Sequence, residues 1–156
     1  MGRCRRGLVT IHLGSNVRLH IVARGKIGRC AEADLVERYL KRINWGANVT
    51  ELPDVGGKAP VVAPGTVTVA LDELGLELGS VAFAEKLSTW RDAGVRECRF
   101  LIGAADGLTA DERTSADLLL SFGKATWPHM MVRAMLAEQL YRATSIIAGH
   151  PYHREG

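Results

Sequence analysis

Apolar and polar positions alternate through Val17-Arg18-Leu19-His20-Ile21-Val22-Ala23 before Gly25, the period of a half-buried strand. The period then changes. From about Ala31 to Ile43, residues Leu35, Val36, Tyr39, Leu40 and Ile43 recur at helical spacing, and Gly46 closes that helix. Ala47 to Leu52 reads as a second short strand, and the Pro- and Gly-rich stretch from Pro53 to Gly65 as a mobile loop. Thr66 to Leu71 is a β-branched run ending at Asp72, a third strand. Ser80 to Ala93 reads as a helix that starts at a serine cap, carries Val81, Phe83, Ala84, Leu87 and Trp90, and stops at Gly94. Cys98 to Ile102 is a short apolar fourth strand, followed by a Gly103–Gly107 loop whose glycines imply unusual backbone angles. Thr109 caps a short helix over Ala110–Leu120, Phe122 to Thr126 is a weaker fifth strand, and Met130 to Ala148 is a long last helix.

Strands alternating with helices imply one α/β domain with a largely parallel sheet. Such sheets bind ligands beyond the carboxyl ends of their strands. Here those ends are Leu71, Gly103 and the Thr126–Pro128 stretch. The last helix is apolar on more than one side. Met131, Val132, Met135, Leu136, Leu140, Ile146 and Ile147 cover most of its circumference, with Arg133, Glu138, Gln139, Arg142, Thr144 and Ser145 interspersed. Such a helix needs cover on more than one side. In a domain this small a second subunit supplies that cover, or else the helix is buried wholly in its own domain.

The 156 residues suffice for one domain with a real core and are too few for two. No apolar run approaches the roughly 20 residues needed to span a bilayer. The apolar stretch after Arg3, Arg5 and Arg6 is short and broken by His12, which argues against a signal peptide. Cys4, Cys30 and Cys98 are odd in number and widely spaced, as expected of reduced thiols in a cytoplasm rather than of a disulfide framework or zinc site. The formal net charge is only +3, but it is unevenly spread. Seven basic residues (Arg3, Arg5, Arg6, Arg18, Arg24, Lys26, Arg29) precede the first acidic one, Glu32, leaving 13 basic and 17 acidic residues from there on. A basic segment on a mildly acidic body suits a polyanionic partner, or is simply a solvated tail.

Several chemistries drop out. Gly25-Lys26-Ile27-Gly28 and Gly56-Gly57-Lys58 lack the spacing and the Ser/Thr of a phosphate-binding P-loop. No Gly-x-Ser-x-Gly elbow is present, which argues against a serine hydrolase. His150 and His153 stand three apart with no cysteine or acidic cluster to complete a metal shell, so no metal is expected.

Other segments are more specific. Phe100-Leu101-Ile102-Gly103-Ala104-Ala105-Asp106-Gly107-Leu108 resembles the LIGG-x-x-G loop of the RlmH family of SPOUT methyltransferases. Trp127-Pro128-His129-Met130-Met131-Val132-Arg133 is similar to its (L/F)PH-x-x-x-R segment. Ala137-Glu138-Gln139-Leu140-Tyr141-Arg142-Ala143 resembles its E-Q/S-x-YRA stretch, and His150-Pro151-Tyr152-His153-Arg154-Glu155 its C-terminal HPYHRE. Leu19–Ala23, Gly25-Lys26 and Val69-Ala70-Leu71-Asp72 also fit the family's early strands. The motifs fall in order over residues 17–156. There are departures: the second loop glycine is Ala104, and the Pro53–Gly65 stretch is shorter than usual and lacks a helix found in many relatives. Residues 1–16 form an extension upstream of the usual start, at which Val17 would stand for an initiating methionine if its codon were GTG.

The resemblance implies a knotted, Rossmann-like SPOUT domain over 17–156: a mainly parallel sheet, helices on both faces and a C-terminal trefoil knot. It implies a cytoplasmic homodimer that moves a methyl group from S-adenosyl-L-methionine to N3 of a pseudouridine in the helix 69 loop of 23S rRNA in assembled ribosomes. The cofactor would be surrounded by Leu71, Gly103, Ala104, Gly123, Lys124, Ala125, Thr126, Trp127 and Pro128, with Lys124 contributing its backbone. Methyl transfer to a uracil-type N3 needs alignment and a way to remove or stabilise the charge of a weakly acidic N–H. Candidates are His153 or His150 as proton acceptor, Arg154 for phosphate or the ring anion, and Tyr152 for stacking on the base, with His129 nearby. A dimer would let one site use residues of both chains. A tRNA-base methyltransferase of the same fold and a non-catalytic ribosome-binding assembly factor are the alternative readings.

Overall fold

The computed structural model describes residues 16–154. The notable arginines Arg3, Arg5 and Arg6 therefore lie outside the described residues, as do Cys4 and Glu155. The elements in chain order are β1 (Arg18–Arg24), α1 (Ala31–Leu40), β2 (Ala47–Leu52), β3 (Thr66–Glu77), α2 (Ser80–Asp92), β4 (Glu97–Ile102), α3 (Ala110–Ser115), β5 (Leu118–Ser121) and α4 (His129–Ile147). The five strands form one parallel sheet ordered β2-β1-β4-β3-β5.

The alternation in β1 sorts the two faces. Leu19, Ile21 and Ala23 pair in register with Cys98, Phe100 and Ile102 of β4, and Phe100 in turn with Val69 of β3. These side chains meet Phe83, Ala84 and Leu87 of α2 and Leu136, Leu140 and Ala143 of α4 in one core. A satellite cluster joins Val36 of α1 to Ala134 and Ala137 of α4, packed against Val49 of β2. Three helices thus share one face. The opposite face, bearing His20, Thr68 and Arg99, is thinner and more polar, because among the described residues it is covered by short α3 and the 53–65 segment. Arg24 reaches Glu112 of α3 at 3.2 Å, and Arg99 donates to the carbonyls of Pro60 and Val61 at 2.5 and 3.2 Å. The composition of that segment suggests mobility, but it is strapped down by Arg99 and by Arg24, which also donates to Pro53 and Gly56.

Several boundaries differ from those the sequence implies, each for a local reason. β5 lies at Leu118–Ser121 rather than Phe122–Thr126, and α3 stops at Ser115 instead of Leu120. Ala116 turns extended, and Asp117 then bonds twice to Thr68, its carboxylate accepting from the Thr68 N–H and its own N–H donating to the Thr68 carbonyl. The apolar triplet Leu118–Leu120 is too short for its periodicity to separate helix from strand. Thr109 does cap α3, in a reciprocal capping box with Glu112. Ser80 is not a cap: Gly79 holds that position, and the Ser80 hydroxyl instead donates to Gln139 Oε1 at 2.8 Å, linking α2 to α4. α1 ends at Leu40, three residues short of Ile43, which is buried in the turn that follows. β3 runs past Leu71 to Glu77 through an irregularity, since both Leu71 and Leu76 pair with Leu120.

α4 also accounts for much of its own apolar circumference. It packs against α1 on one side and α2 on the other, with the sheet beneath. The intrachain elements thus give part of the cover that the sequence suggests a second subunit would supply. The largest fully buried side chain belongs to a residue whose pattern gave no such sign: Arg133 is 1% exposed. Its guanidinium lies 2.6 Å from Glu51 Oε2 and donates to the carbonyl of Gly25 at 2.9 Å. Burial alone would raise the Glu51 carboxyl, but the Ile27 N–H and the Arg133 guanidinium outweigh it and hold its pKa below the ordinary value.

A depressed folded-state pKa means that the pair stabilises the fold above the unfolded pKa, and that this contribution fades as pH falls through the folded value. Glu51→Ala is expected to cost about 2–3 kcal/mol, less than a fully buried broken pair because the carboxylate is partly exposed. Glu51→Gln should lower the thermal midpoint at neutral pH and flatten its decline toward about pH 3. Thermal melts across that range check this. A Gln variant as acid-sensitive as the parent would remove Glu51 from the account.

Candidate functional site

The carboxyl ends of β3, β4 and β5 open into a cavity of about 590 Å³. Three segments build it: the middle of β3 from Leu71 to Glu73, where its regular pairing stops, the loop after β4 from Gly103 to Leu108, and the stretch from Phe122 into the first turn of α4. Leu71, Gly103, Ala104, Gly123, Ala125, Thr126, Trp127 and Pro128, all singled out in the sequence, line it together with His129. Lys124 does not line it and lies exposed on the same loop.

Close backbone packing shapes the walls. A Cβ on Gly103 would stand 2.5 Å from the Gly107 carbonyl carbon and 2.7 Å from its oxygen, so glycine is required there by proximity and not by its own φ. Gly107 itself has a φ of +85°, and its N–H donates to Ala104 at 2.8 Å, closing the loop. Among the described residues no non-glycine has a positive φ, so Ala104 occupies its place without strain. The Gly123 N–H bonds to the Ser121 hydroxyl at 3.1 Å, whereas the N–H groups from Lys124 to Trp127 find no acceptor among the described residues. Unspent donors on a cavity loop can read the edges of a bound ligand while apolar walls cover its faces.

The rim carries polar groups that sequence motifs did not single out. The Asp72 side chain is only 4% exposed, receives Arg113 Nε at 2.6 Å and the Leu74 N–H at 2.9 Å, and so ties α3 to the end of β3. Glu73 accepts from the Thr126 hydroxyl at 3.5 Å. The position of Asp72 directly after a strand end was the available signal. The β1 end also abuts this site: a Cβ on Gly25 would lie 3.0 Å from Asp54 Oδ1, 3.3 Å from Met130 Cε and 3.6 Å from His129 Nε2. Cys98 is no nucleophile, since burial pushes its thiol up to about 12.

The tail residues are elsewhere. Tyr152 donates through its hydroxyl to Glu138 at 3.1 Å and packs on Tyr141 with ring centroids 4.6 Å apart. His153 Nδ1 sits 3.1 Å from Arg142 Nη1, while His150 and Arg154 are exposed. Glu138 and Arg142 lie about 14 and 20 Å along α4 from His129, at 1.5 Å per residue. Within one chain the tail is therefore away from the cavity, and of the candidate catalytic groups His129 alone lines it. Burial, a hydrogen bond with Tyr39 and the Glu138 carboxylate all push the Tyr152 phenol up, so it remains a neutral donor rather than a base. Among the described residues no group of three metal-ligating side chains occurs.

A parallel α/β sheet with a cavity built from loops at three adjacent strand ends defines a small-ligand α/β enzyme domain. The comparisons make this particular. A family model described as "Predicted SPOUT methyltransferase" matches residues 57–153. A ribosomal RNA large subunit methyltransferase H from Rhizorhabdus wittichii is 70% identical over 138 residues, spanning 88% of this chain and 99% of that one. Its namesake from Zymomonas mobilis is 56% identical over 142 residues, spanning 90% and 100%. A solved structure of a probable methylase family protein from Haemophilus influenzae has a TM-score of 0.56 at 12% identity, covering 90% of this chain and 71% of that one, which shows the shared fold. The chain belongs to the SPOUT methyltransferase family, in the RlmH group that its sequence motifs resemble.

Proposed function

We propose that this chain transfers a methyl group from S-adenosyl-L-methionine to N3 of a pseudouridine in the helix 69 loop of 23S rRNA, acting on assembled ribosomes in the cytoplasm as a homodimer. The observation that carries this reading is the cavity at the ends of β3, β4 and β5, formed by the very loops that bear the family motifs. The relatives are named for methylation of large-subunit ribosomal RNA. Among the described residues no helix is long and apolar enough to cross a membrane.

The residues present fit a nucleoside-sized donor. The volume lies within the usual range for small-ligand sites, Gly103 lets the loop backbone close tightly on itself at the wall, and the 124–127 N–H groups find no acceptor among the described residues. Leu71, Gly103, Ala104 and the backbone of the Gly123–Pro128 loop would hold it, with Phe122 and Val132 adding apolar wall. When bound, the donor supplies an electrophilic methyl carbon. The chain's part is to align the ring nitrogen, exclude water and deal with the N3 proton. His129 stands at the cavity and can accept or relay that proton. The remaining candidates, His150, Tyr152, His153 and Arg154, are displaced along α4 in their own chain, so a composite site with the tail of a second subunit would bring them to the cavity.

Two outcomes test this. Gly103→Val should abolish binding of S-adenosyl-L-methionine by calorimetry while leaving a cooperative melt, because its branched side chain would push the Gly107–Leu108 backbone of the cavity loop out of place without entering the main core. Unchanged affinity in a folded variant would place the donor elsewhere. A chain ending at Gly149 should keep donor affinity yet lose methyl transfer to undermodified ribosomes by about 100-fold or more, the usual weight of proton-transfer and positioning groups. Mixed in equal amounts, these two inactive variants should recover about one quarter of parental activity, since half the dimers are mixed and each has one complete site. No recovery on mixing, with mixed dimers demonstrably formed, would refute a tail donated by the partner. Transfer to tRNA instead, or donor binding by neither form, would favour the tRNA or assembly-factor readings.

A further inference from the structure

Trp127 is out of place for a residue that merely lines a cavity. Its side chain belongs to the lining, yet the residue is 42% exposed, on a loop where the deeper apolar wall is already made by Leu71, Phe122 and Val132. Met131, in the first turn of α4, is likewise exposed, at 38%. An exposed indole on a cavity's lining is an apolar surface of the kind that marks a binding site. The indole is also held. Pro128 follows it and serves as the N-cap of α4 with φ −56°. A residue preceding proline is confined to extended conformations, so little backbone freedom is lost when something lands on the ring.

The charge around the mouth narrows what lands there. Lys124 is exposed three residues upstream in the same loop, and Lys26 is exposed beside Gly25, whose backbone abuts His129 and Met130. Of the carboxylates in the same lining, Asp72 is held by Arg113 and Glu73 accepts from the Thr126 hydroxyl, with Asp106 beside them. An exposed aromatic face on a loop that also carries an exposed lysine suits a nucleobase with its neighbouring phosphates, because every base has a stacking face and every phosphate seeks a cation. A purely apolar protein surface would gain nothing from those lysines. Resting on the RNA-methyltransferase reading above, we infer that Trp127 is a substrate-positioning residue: its indole stacks on a base of the RNA substrate at the cavity mouth, while the backbone of the same loop serves the methyl donor within.

The test uses the full chain with Trp127→Ala, Trp127→Leu and Trp127→Phe, and undermodified ribosomes as the RNA. Loss of one stacked base should raise KM for ribosomes about tenfold or more in the Ala variant, with a smaller change in kcat. Phe, which keeps an aromatic face, should restore KM to within about threefold of the parent, while Leu, apolar without a π-face, should resemble Ala. Affinity for S-adenosyl-L-methionine by calorimetry and the sedimentation coefficient should match the parent in all three. A donor affinity that falls in step with KM would move the indole into the donor pocket, and a changed oligomeric state would make it a subunit contact. Leu performing as well as Phe would show that apolar bulk, not stacking, is what matters. Each of these overturns the inference while leaving methyl transfer by the parent intact. A parent that methylates no ribosomes would instead sink the functional reading along with it.

Discussion

The Arg133 guanidinium is the joint on which the site depends. It projects from the second turn of α4 into a space where it is 1% exposed, and bonds to Glu51 at the end of β2 and to the Gly25 carbonyl just past β1. A charge in such a place is costly unless its donors are met, and removing one partner is worse than never having buried it. Its Nε has no partner among the described residues, so the two terminal nitrogens carry the load. The consequence reaches beyond stability. Fixing the first turns of α4 against the ends of two strands fixes His129, and with it where the Gly123–Pro128 loop must arrive.

From that joint the architecture follows in both directions. Toward the carboxyl end, α4 runs between α1 and α2, and its small buried residues, Ala134, Ala137 and Ala143, let those helices approach. Toward the sheet, the irregularity after Leu71 bends β3 so that Asp72 and Glu73 face the Arg113 and Thr126 side chains. Gly75 permits this, because a Cβ there would meet the Leu119 carbonyl carbon at 2.7 Å. Both walls of the cavity are thus held by backbone proximity and a few polar ties rather than by large side chains. Such walls keep their shape when a ligand is absent and cost little to organise when it binds.

Much of this was legible in the chain. The alternation in Val17–Ala23 and the limits of Ala47–Leu52 needed no tertiary information, since a period of two with glycine or proline at each end leaves few alternatives. The cavity's lining was legible in part: Gly103 does stand just past β4, but Leu71 lies inside β3, which runs on to Glu77, and Thr126–Pro128 lie beyond a β5 that ends at Ser121. What failed did so where long-range partners decide. Leu118–Leu120 became strand because β3 offered an edge and Asp117 locked onto Thr68. Ser80 looked like a cap but found Gln139, 59 residues away. Arg133 looked like one polar residue among several on a helix, and no local pattern reveals that a carboxylate from β2 waits for it.

The tail shows the same lesson with more at stake. Its two imidazoles, phenol and guanidinium look in sequence like groups free to act, but Glu138 takes three kinds of donor at once: Arg142, Gln139 and the Tyr152 hydroxyl. Arg142 in turn lies over the Tyr152 ring at 4.8 Å and meets His153. The tail is therefore organised by α4 before any substrate or partner arrives. Tyr152 and His153 are committed to this scaffold, and His150 and Arg154 are the groups left to solvent. If a composite site forms, the first pair sets where the tail points and the second pair is what it offers. An exposed guanidinium with no partner among the described residues is well suited to a phosphate or a developing ring anion, since little must be broken before it can bind.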